Sequence, residues 1–257
     1  MKREELRPTL WRTCRVLANE DRLRLFKAVI EHEGRYSVRQ YARMFNLQDD
    51  VASVYLRQMN ARGLLGVRRA EIKVFYNLDQ NRSLPQAMEL QRMLVEYLGG
   101  TLEEGWEDRL VRIFKGFTHP NRLAMISQLA KGGATLDELK TSAGCVVKSL
   151  AHHLRFLYGA GLIESQTRYH APTLYRLLPQ THPVARLLLK QLLAEDPNGT
   201  RYYNPKEGSP DRESRAVLKK IRREEGVTME NWKTKRGTGV HHHKFSSKAQ
   251  KAAKEGT

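Results

Sequence analysis

The sequence predicts a mainly α, α+β protein in which one unit of about ninety residues occurs twice in tandem and is followed by a basic tail. Three observations predict this organisation. The chain resembles itself at an offset of about one hundred residues, each copy has apolar helical stripes followed by two short strands, and the composition changes near residue 196. The predicted boundaries are 6–99 and 100–195 for two domains and 196–257 for the tail.

Three pairs of matching segments define the repeat. They are Leu17–Leu23 with Phe117–Leu123, Leu56–Leu65 with Leu154–Ile163, and Leu84–Gln86 with Leu178–Gln180. The offset shortens slightly along the chain, which indicates small deletions in the second copy and an unchanged order of elements. Such a repeat means that both copies should adopt the same fold.

Within each copy the periodicity predicts two helices, a short helix, a turn, a further helix, two strands and a last helix. Glycines end the first strongly apolar helix, at Gly34 in copy one and at Gly132–Gly133 in copy two. The predicted strands are Leu64–Arg68 and Lys73–Leu78 in copy one, and Leu162–Gln166 and Thr173–Leu177 in copy two. The closing helices are Met88–Leu98 and Val184–Leu193. A hairpin directly after a helix is the wing of a winged helix-turn-helix, so the chain should contain two such domains in tandem.

The charge indicates a polyanionic partner. The chain carries 45 Lys and Arg against 28 Asp and Glu, a formal net charge of +17, which would attract nucleic acid or an anionic membrane. No run of eighteen apolar residues occurs and the N-terminus lacks an apolar signal segment, so nucleic acid is favoured over a membrane. The isolated Cys14 and Cys145 suit a reducing compartment and buried positions. These features predict a cytoplasmic, nucleoid-associated protein.

The tail from residue 196 is rich in Pro, Gly, Ser and charges, which predicts that it is largely disordered apart from a helical stretch at Arg215–Glu225. It contains 15 Lys and Arg against 8 Asp and Glu, so most of the excess positive charge lies in the two copies. His241–His243 is interpreted as solvated tail, because adjacent histidines on a flexible chain do not preset a metal geometry. The basic run from Lys244 to Lys254 could act as a flexible arm on DNA.

The sequence contains no Gly-rich phosphate loop, no nucleophile elbow, no HExxH and no paired carboxylates in an apolar setting. We therefore expect a protein that is not an enzyme and that has neither a metal site nor a cofactor.

Leu10–Leu23 and Ala151–Ile163 resemble the ArsR-type winged-helix transcription regulators. In that family, Ser, any residue, His and Leu, followed two turns later by Ala-Gly-Leu, mark the recognition helix and the start of the wing. Copy two has Ala151–Leu154 with Gly159–Leu162, and copy one has Ser53–Leu56 with Ala61–Leu64, each departing at one or two positions. The resemblance implies sequence-specific binding of double-stranded DNA and regulation of transcription, with a recognition helix in the major groove.

The spacing of Leu56, Met59, Leu154 and Leu157 predicts the buried side of each recognition helix, and their polar neighbours are then candidates for DNA contact. The candidates in copy one are Gln48, Ser53, Tyr55 and Arg57 on the helix, with Arg68, Arg69 and Lys73 on the wing. Those in copy two are Lys148, Ser149, His152 and Arg155 on the helix, with Arg168 and His170 on the wing.

Each candidate also has a structural interpretation. Arg57 and Arg155 could form solvated ion pairs, and Tyr55 and His153, at the family's histidine position, could serve packing. Asp49–Asp50 begins the copy-one helix, where carboxylates suit the helix N-terminus but meet phosphate repulsion in a groove. Copy two is therefore expected to be the better base reader.

Two further expectations follow from the resemblance. Family members that sense metals do so through cysteine pairs on the helix before the recognition helix, and neither Val38–Arg43 nor Leu136–Lys140 contains one. Members pair through their first and last helices as homodimers. Two copies on one chain predict an intramolecular pseudo-dimer, with a homodimer as the alternative. The apolar residues expected to be buried by this pairing are Trp11, Val16, Leu90, Leu94, Leu110, Phe114, Leu188 and Leu192.

A competing function is an architectural or protein-interaction module with only non-specific affinity for nucleic acid.

Overall fold

The computed structural model describes residues 9–79, 83–167 and 171–195. We call the elements before residue 100 the N-terminal half and those after it the C-terminal half. The N-terminal half consists of α1 (Leu10–Leu17), α2 (Glu20–Glu31), α3 (Val38–Met44), α4 (Asp49–Ala61), β1 (Gly66–Ala70), β2 (Lys73–Asn77) and α5 (Pro85–Gly99). The C-terminal half consists of α6 (Trp106–Gly116), α7 (Pro120–Ala130), β3 (Ala134–Thr135), α8 (Leu136–Ala143), α9 (Val147–Gly159), β4 (Ile163–Gln166), β5 (Leu174–Leu177) and α10 (Pro183–Glu195).

The predicted order of helices and strands occurs in each half, and the fold is a helix-rich α+β structure with small sheets. The bounds differ from the prediction in several places, and helix α5 begins three residues earlier than expected. Strand β1 begins two residues later than expected, and the short strand β3 adds a third strand by pairing with β5. In the N-terminal half the same position makes only a single bridge, Ser37 to Phe75. The predicted tail, with its helical stretch at 215–225, lies outside the described residues.

Side-chain caps fix where the helices begin. Asn19 Oδ1 accepts a hydrogen bond from the Arg22 amide at 3.0 Å before α2, and His119 Nδ1 accepts one from the Asn121 amide at 3.1 Å before α7. The short helices α3 and α8 both begin with a capping box, Ser37 with Gln40 and Thr135 with Glu138. Because caps satisfy amides that have no helical partner, they hold each short helix in place ahead of the next one.

In each half, one glutamine side chain forms hydrogen bonds with the backbone at the base of the hairpin. Gln91 on α5 is only 1% exposed, and its Nε2 donates to the carbonyl oxygens of Leu64 at 2.9 Å and Leu78 at 3.1 Å. In the C-terminal half, Gln180 Nε2 donates to the carbonyl oxygens of Gly161 at 3.0 Å and Leu178 at 2.9 Å. Each hairpin is thereby anchored where its strands leave the core.

The two halves pack against each other within one compact unit. Helix α1 packs against α6, and α5 packs against α10. Of the eight apolar residues expected at this contact, Trp11 is half-buried and the other seven are buried. Polar contacts border them. Lys190 Nζ lies 2.8 Å from Glu89 Oε1, and Gln191 Nε2 donates to the carbonyl oxygen of Gln86 at 3.0 Å.

Gly34 allows the chain to pass close to the N-terminal hairpin after α2. Its φ of +67° lies in the left-handed region, and a Cβ atom there would stand 2.5 Å from the carbonyl oxygen of Tyr76. Both features require glycine, and the absence of a Cβ atom allows the turn after α2 to lie against β2.

We expect Gly34→Ala to lower the free energy of unfolding by about 1–3 kcal/mol, because it adds both backbone strain and a clash. Gly99→Ala is the matched control. It lies at the end of α5 with nothing within 4 Å of the added Cβ, and it should be neutral or stabilising by up to about 1 kcal/mol. Urea unfolding of both variants measures the difference, and equal stabilities would contradict the role given to Gly34.

Candidate nucleic-acid interface

One face of α9 carries three exposed residues with nitrogen donors. Lys148, His152 and Arg155 are separated by four and then three residues, so they form a stripe along the helix, and all three are exposed. Within the described residues, Lys148 and Arg155 form no hydrogen bond or ion pair, so neither makes the ion pair that was one interpretation of Arg155. Ser149 is half-buried beside the stripe. The stripe begins in the first turn of α9, the part of a recognition helix that contacts bases.

The opposite face of α9 is buried, as its spacing predicts. Leu154 and Leu157 are 3% and 0% exposed, and the equivalent Leu56 and Met59 of α4 are both fully buried. Helix α9 packs on α6, α7 and α8. Each helix therefore buries one apolar side and turns the residues of its opposite side to solvent.

The equivalent face of α4 has different chemistry. The repeat aligns Asp50, Val54 and Arg57 with the three stripe residues of α9, and all three are exposed. Asp49, the residue before Asp50, accepts a hydrogen bond at 3.0 Å from Nε of Arg39 on α3. Arg57 folds back on its own helix, where its Nε donates to the Ser53 carbonyl oxygen at 3.3 Å. Of the remaining candidates on this helix, Gln48 is exposed and precedes the first turn, whereas Ser53 is half-buried.

The N-terminal wing is a short antiparallel hairpin with a basic surface. Arg68, Arg69 and Lys73 are all exposed on β1 and β2. The guanidinium of Arg68 lies 5.0 Å from the ring centroid of Phe75, its partner across the hairpin, which restrains the side chain without removing its charge. Arg168 and His170, the candidates on the C-terminal wing, lie outside the described residues.

Behind α9 lies a buried cation that the sequence analysis did not single out. Arg122 on α7 is only 4% exposed, and its guanidinium stacks 4.6 Å from the centroid of Phe156. One of its Nη atoms donates to Thr118 Oγ1, and the other lies 3.4 Å from His153 Nδ1. Since arginine can only donate, Nδ1 of His153 must be the acceptor. Arg122 thus holds two residues of α9 from inside the domain.

Burial lowers the pKa values of two imidazoles in this cluster. Desolvation is the main cause that lowers the pKa of His153 from 6.5 to about 3, and electrostatic repulsion between protonated His153 and its neighbours His119, Arg122 and His152 acts in the same direction. The pKa of His119, whose ring lies 4.6 Å from that of His153, is lowered for the same principal reason. Desolvation also lowers the pKa of Arg122 to about 10, which leaves the guanidinium charged at neutral pH. His153 is 6% exposed, so it takes the packing role that was its structural interpretation.

The N-terminal half has a simpler form of the same contact. Arg22 aligns with Arg122, and its guanidinium lies 4.7 Å from the ring centroid of Tyr55 on α4. Its Nη1 also donates to the carbonyl oxygen of Val16 at 3.1 Å. Tyr55, which was expected to contact DNA, is half-buried and lies against Arg22. The predicted repeat already places the two arginines at equivalent positions, three residues after the helix caps Asn19 and His119. They were not selected as candidates because arginine near the start of a helix is normally a surface residue.

Among the described residues, no three His, Cys, Asp or Glu side chains come together as metal ligands would. Cys14 and Cys145 are buried free thiols. Within residues 9–79, 83–167 and 171–195, no helix has both the length and the apolar character needed to cross a lipid bilayer.

Comparison with known proteins identifies one segment. Residues 119–165 match the family model described as bacterial regulatory protein, arsR family. The match begins at the cap of α7, includes β3, α8 and α9, and ends within β4, so it covers the helix-turn-helix of the C-terminal half and the start of its wing. No curated protein and no solved structure matches the chain. This segment is therefore similar to a DNA-binding regulatory domain, and residues 9–99 lie outside the match.

We expect His153→Gln to reduce the loss of stability in acid. Because the pKa of His153 is about 3 when folded and the ordinary value is 6.5, the unfolded state binds the proton first as the pH falls. Stability should then decrease below pH 6.5 by up to about 1.4 kcal/mol per pH unit until the folded pKa is reached. Glutamine can still accept the hydrogen bond but does not titrate.

Urea unfolding at pH 7 and pH 5 tests this expectation, and the difference between the two pH values should be smaller in His153→Gln than in the wild type. Arg92→Gln, on the exposed face of α5 and not among the groups that affect the pKa of His153, is the control and should keep the wild-type difference. An unchanged pH dependence in His153→Gln would contradict the buried, neutral state of this imidazole.

Proposed function

We propose that the protein is a sequence-specific regulator of transcription that binds double-stranded DNA in the cytoplasm, on the nucleoid, and has no enzymatic activity. The observation that carries the proposal is the exposed stripe of Lys148, His152 and Arg155 on α9, within the segment that matches the arsR family model. In a helix-turn-helix, such a helix enters the major groove while the wing contacts phosphates. Arg68, Arg69 and Lys73 are suited to the phosphate role.

The proposed architecture has two tandem winged-helix domains, 6–99 and 100–195, with 196–257 as a basic tail. The matching element order of the two halves and the recurrence of Arg22 at Arg122 support the tandem arrangement. The packing of α1 on α6 and of α5 on α10 supports an intramolecular pseudo-dimer, since these are the first and last helices of each half. In this arrangement α4 and α9 would contact DNA about one helical turn apart, and the tail would add non-specific affinity.

Selection of bound sequences from a random duplex library tests the function. The full chain should enrich a preferred site, and a variant with Lys148→Ala, His152→Ala and Arg155→Ala should lose it, because these substitutions leave the buried side of α9 intact. A matched variant with Arg92→Ala on the exposed face of α5 should retain the site. Failure of the wild-type chain to enrich any site would overturn the proposal.

The mass of the complex tests the pseudo-dimer. If one chain supplies both recognition helices, sedimentation of the free protein should give 29.7 kDa, and one chain should bind each duplex. A free species of about twice that mass at micromolar concentration, or two chains on a minimal site, would instead support a homodimer.

A second function is favoured by the apolar residues exposed on the N-terminal half. Met44, Val54, Val67 and Ile72 are 46%, 37%, 48% and 95% exposed, on α3, α4 and the wing. Such residues could contact another protein, which would make the chain an architectural or protein-interaction module. Salt dependence distinguishes the two functions. Purely electrostatic DNA binding would fall steeply with salt and show no preferred site, whereas sequence-specific binding would keep its preference.

A further inference from the structure

We infer that α9 recognises guanine in the major groove through Lys148 and Arg155, so that the preferred DNA carries guanines beneath the C-terminal half and lacks the guanine that matches Lys148 beneath the N-terminal half, where Asp50 stands. This inference rests on the proposed function and names the base that the site selects. It depends on which hydrogen-bonding groups each recognition helix presents.

The exposed face of α9 consists mainly of donors. Lys148 and Arg155 can only donate, and neither has a partner among the described residues. His152 can donate from one ring nitrogen, and it packs edge-on against Phe156 with ring centroids 4.9 Å apart. Helix α9 contains no Asp, Glu, Asn or Gln at any of its positions.

Donors of this kind select one base. In the major groove, guanine presents two adjacent acceptors, N7 and O6, and Lys or Arg can bind both of them. Adenine is recognised by Asn or Gln, which accept from N6 and donate to N7, and the cytosine amino group needs an acceptor such as Asp or Glu. Because α9 lacks every one of these residue types, guanine is the base that its long side chains can distinguish.

The aligned face of α4 has the opposite character. Where α9 has Lys148, α4 has Asp50, whose carboxylate can only accept when ionised. Where α9 has His152, α4 has Val54, which can contact a thymine methyl group but makes no hydrogen bond. Arg57 is the one cation of this stripe, and its Nε donates to the Ser53 carbonyl oxygen at 3.3 Å. The two helices therefore cannot select the same half-site.

The fold also restrains the helix whose side chains would make the contact. Arg122 holds Phe156 and His153 from the inner side of α9, and Phe156 in turn contacts His152. The rotation of α9 about its own axis is thus fixed by the buried Arg122 and His153 and the half-buried Phe156. A helix held in this way keeps the Cα positions of Lys148 and Arg155 in place, which discrimination between bases requires.

Base analogues provide the first test. After selection of the preferred site with the full chain, each guanine is replaced by 7-deazaguanine, which lacks the N7 acceptor, or by inosine, which keeps N7 and O6 but lacks the minor-groove amino group. We expect 7-deazaguanine at one or two positions to weaken binding by about tenfold, the equivalent of one good base contact. Inosine at the same positions should have less than about twofold effect, because it leaves the major-groove acceptors in place.

A change of specificity provides the second test. Arg155→Gln should replace the preference for guanine by one for adenine at a single position, since glutamine pairs with adenine N6 and N7. Arg92→Gln, on the exposed face of α5, makes the same chemical change away from α9 and should leave the selected sequence unaltered.

The outcomes separate this inference from the proposed function. A guanine-containing site that responds to 7-deazaguanine and changes in Arg155→Gln would support both. An enriched site without sensitive guanines, or one that keeps its guanine preference in Arg155→Gln, would overturn the guanine assignment and leave the regulator function standing. No enriched site from the wild-type chain would overturn the proposed function together with this inference.

Discussion

The apolar contact between the two halves determines where every other feature of the molecule lies. Helices α1, α5, α6 and α10 bury their leucines and Phe114 along this contact, and Leu90, Leu94, Leu188 and Leu192 are all 1% exposed or less. Fully burying one such side chain is worth about 1.5–3 kcal/mol, whereas the exposed ion pair of Lys190 with Glu89 adds about 1 kcal/mol at most. The polar contacts at the edge therefore fix the alignment of the helices, and the hydrophobic effect holds the halves together. Since α4 and α9 are each packed on these helices or their neighbours, their separation is a property of the core rather than of a linker.

A second constraint lies between α4 and α2 and, in the C-terminal half, between α9 and α7. Arg122 is buried at a cost, because desolvation disfavours its charge and its Nε has no partner within the described part of the chain. The stacking on Phe156, the bond to Thr118 and the contact with His153 offset that cost. In the N-terminal half the same position is half-buried, and Tyr55 replaces the histidine. Arg122 is therefore more deeply buried than Arg22 and depends on more contacts. It lies behind α9, the helix that carries Lys148, His152 and Arg155.

The element order could be predicted well because local patterns in the sequence define the helices and their ends. Apolar spacing placed the helices, the glycines after α2 and α7 marked their ends, and the repeat gave each element a second, independent observation. The strands were found within about two residues, since a short hairpin has few residues to define its register. Strand β3 was missed because two residues, Ala134 and Thr135, carry no alternation, and its pairing with β5 is a long-range event.

Prediction of the candidate site from sequence was less complete. Spacing alone separated the buried leucines of α4 and α9 from their polar neighbours, because helical periodicity is a local property. It did not reveal that Arg122 is buried or that Arg57 folds back on its own helix, since both depend on how neighbouring groups pack. His153 shows the same limit. Its neighbour His152 is exposed, and only the packing of α7 beneath α9 decides that His153 is the one of two adjacent histidines that is buried and has its pKa lowered.

In the proposed architecture, having two recognition helices on one chain changes what each of them must do. In a homodimer, a substitution in the recognition helix appears twice and must suit both half-sites, so the bound sequence stays symmetric. Here Asp50 and Lys148 occupy equivalent positions with opposite charges, which a symmetric dimer could not combine. A carboxylate at the start of α4 interacts favourably with the helix dipole but is repelled by phosphates, whereas a lysine at the start of α9 forgoes the first interaction and gains the second. Under the proposed function, the N-terminal half would hold the DNA mainly through Arg68, Arg69 and Lys73, and the exposed Met44, Val54 and Ile72 would be available for contact with another protein.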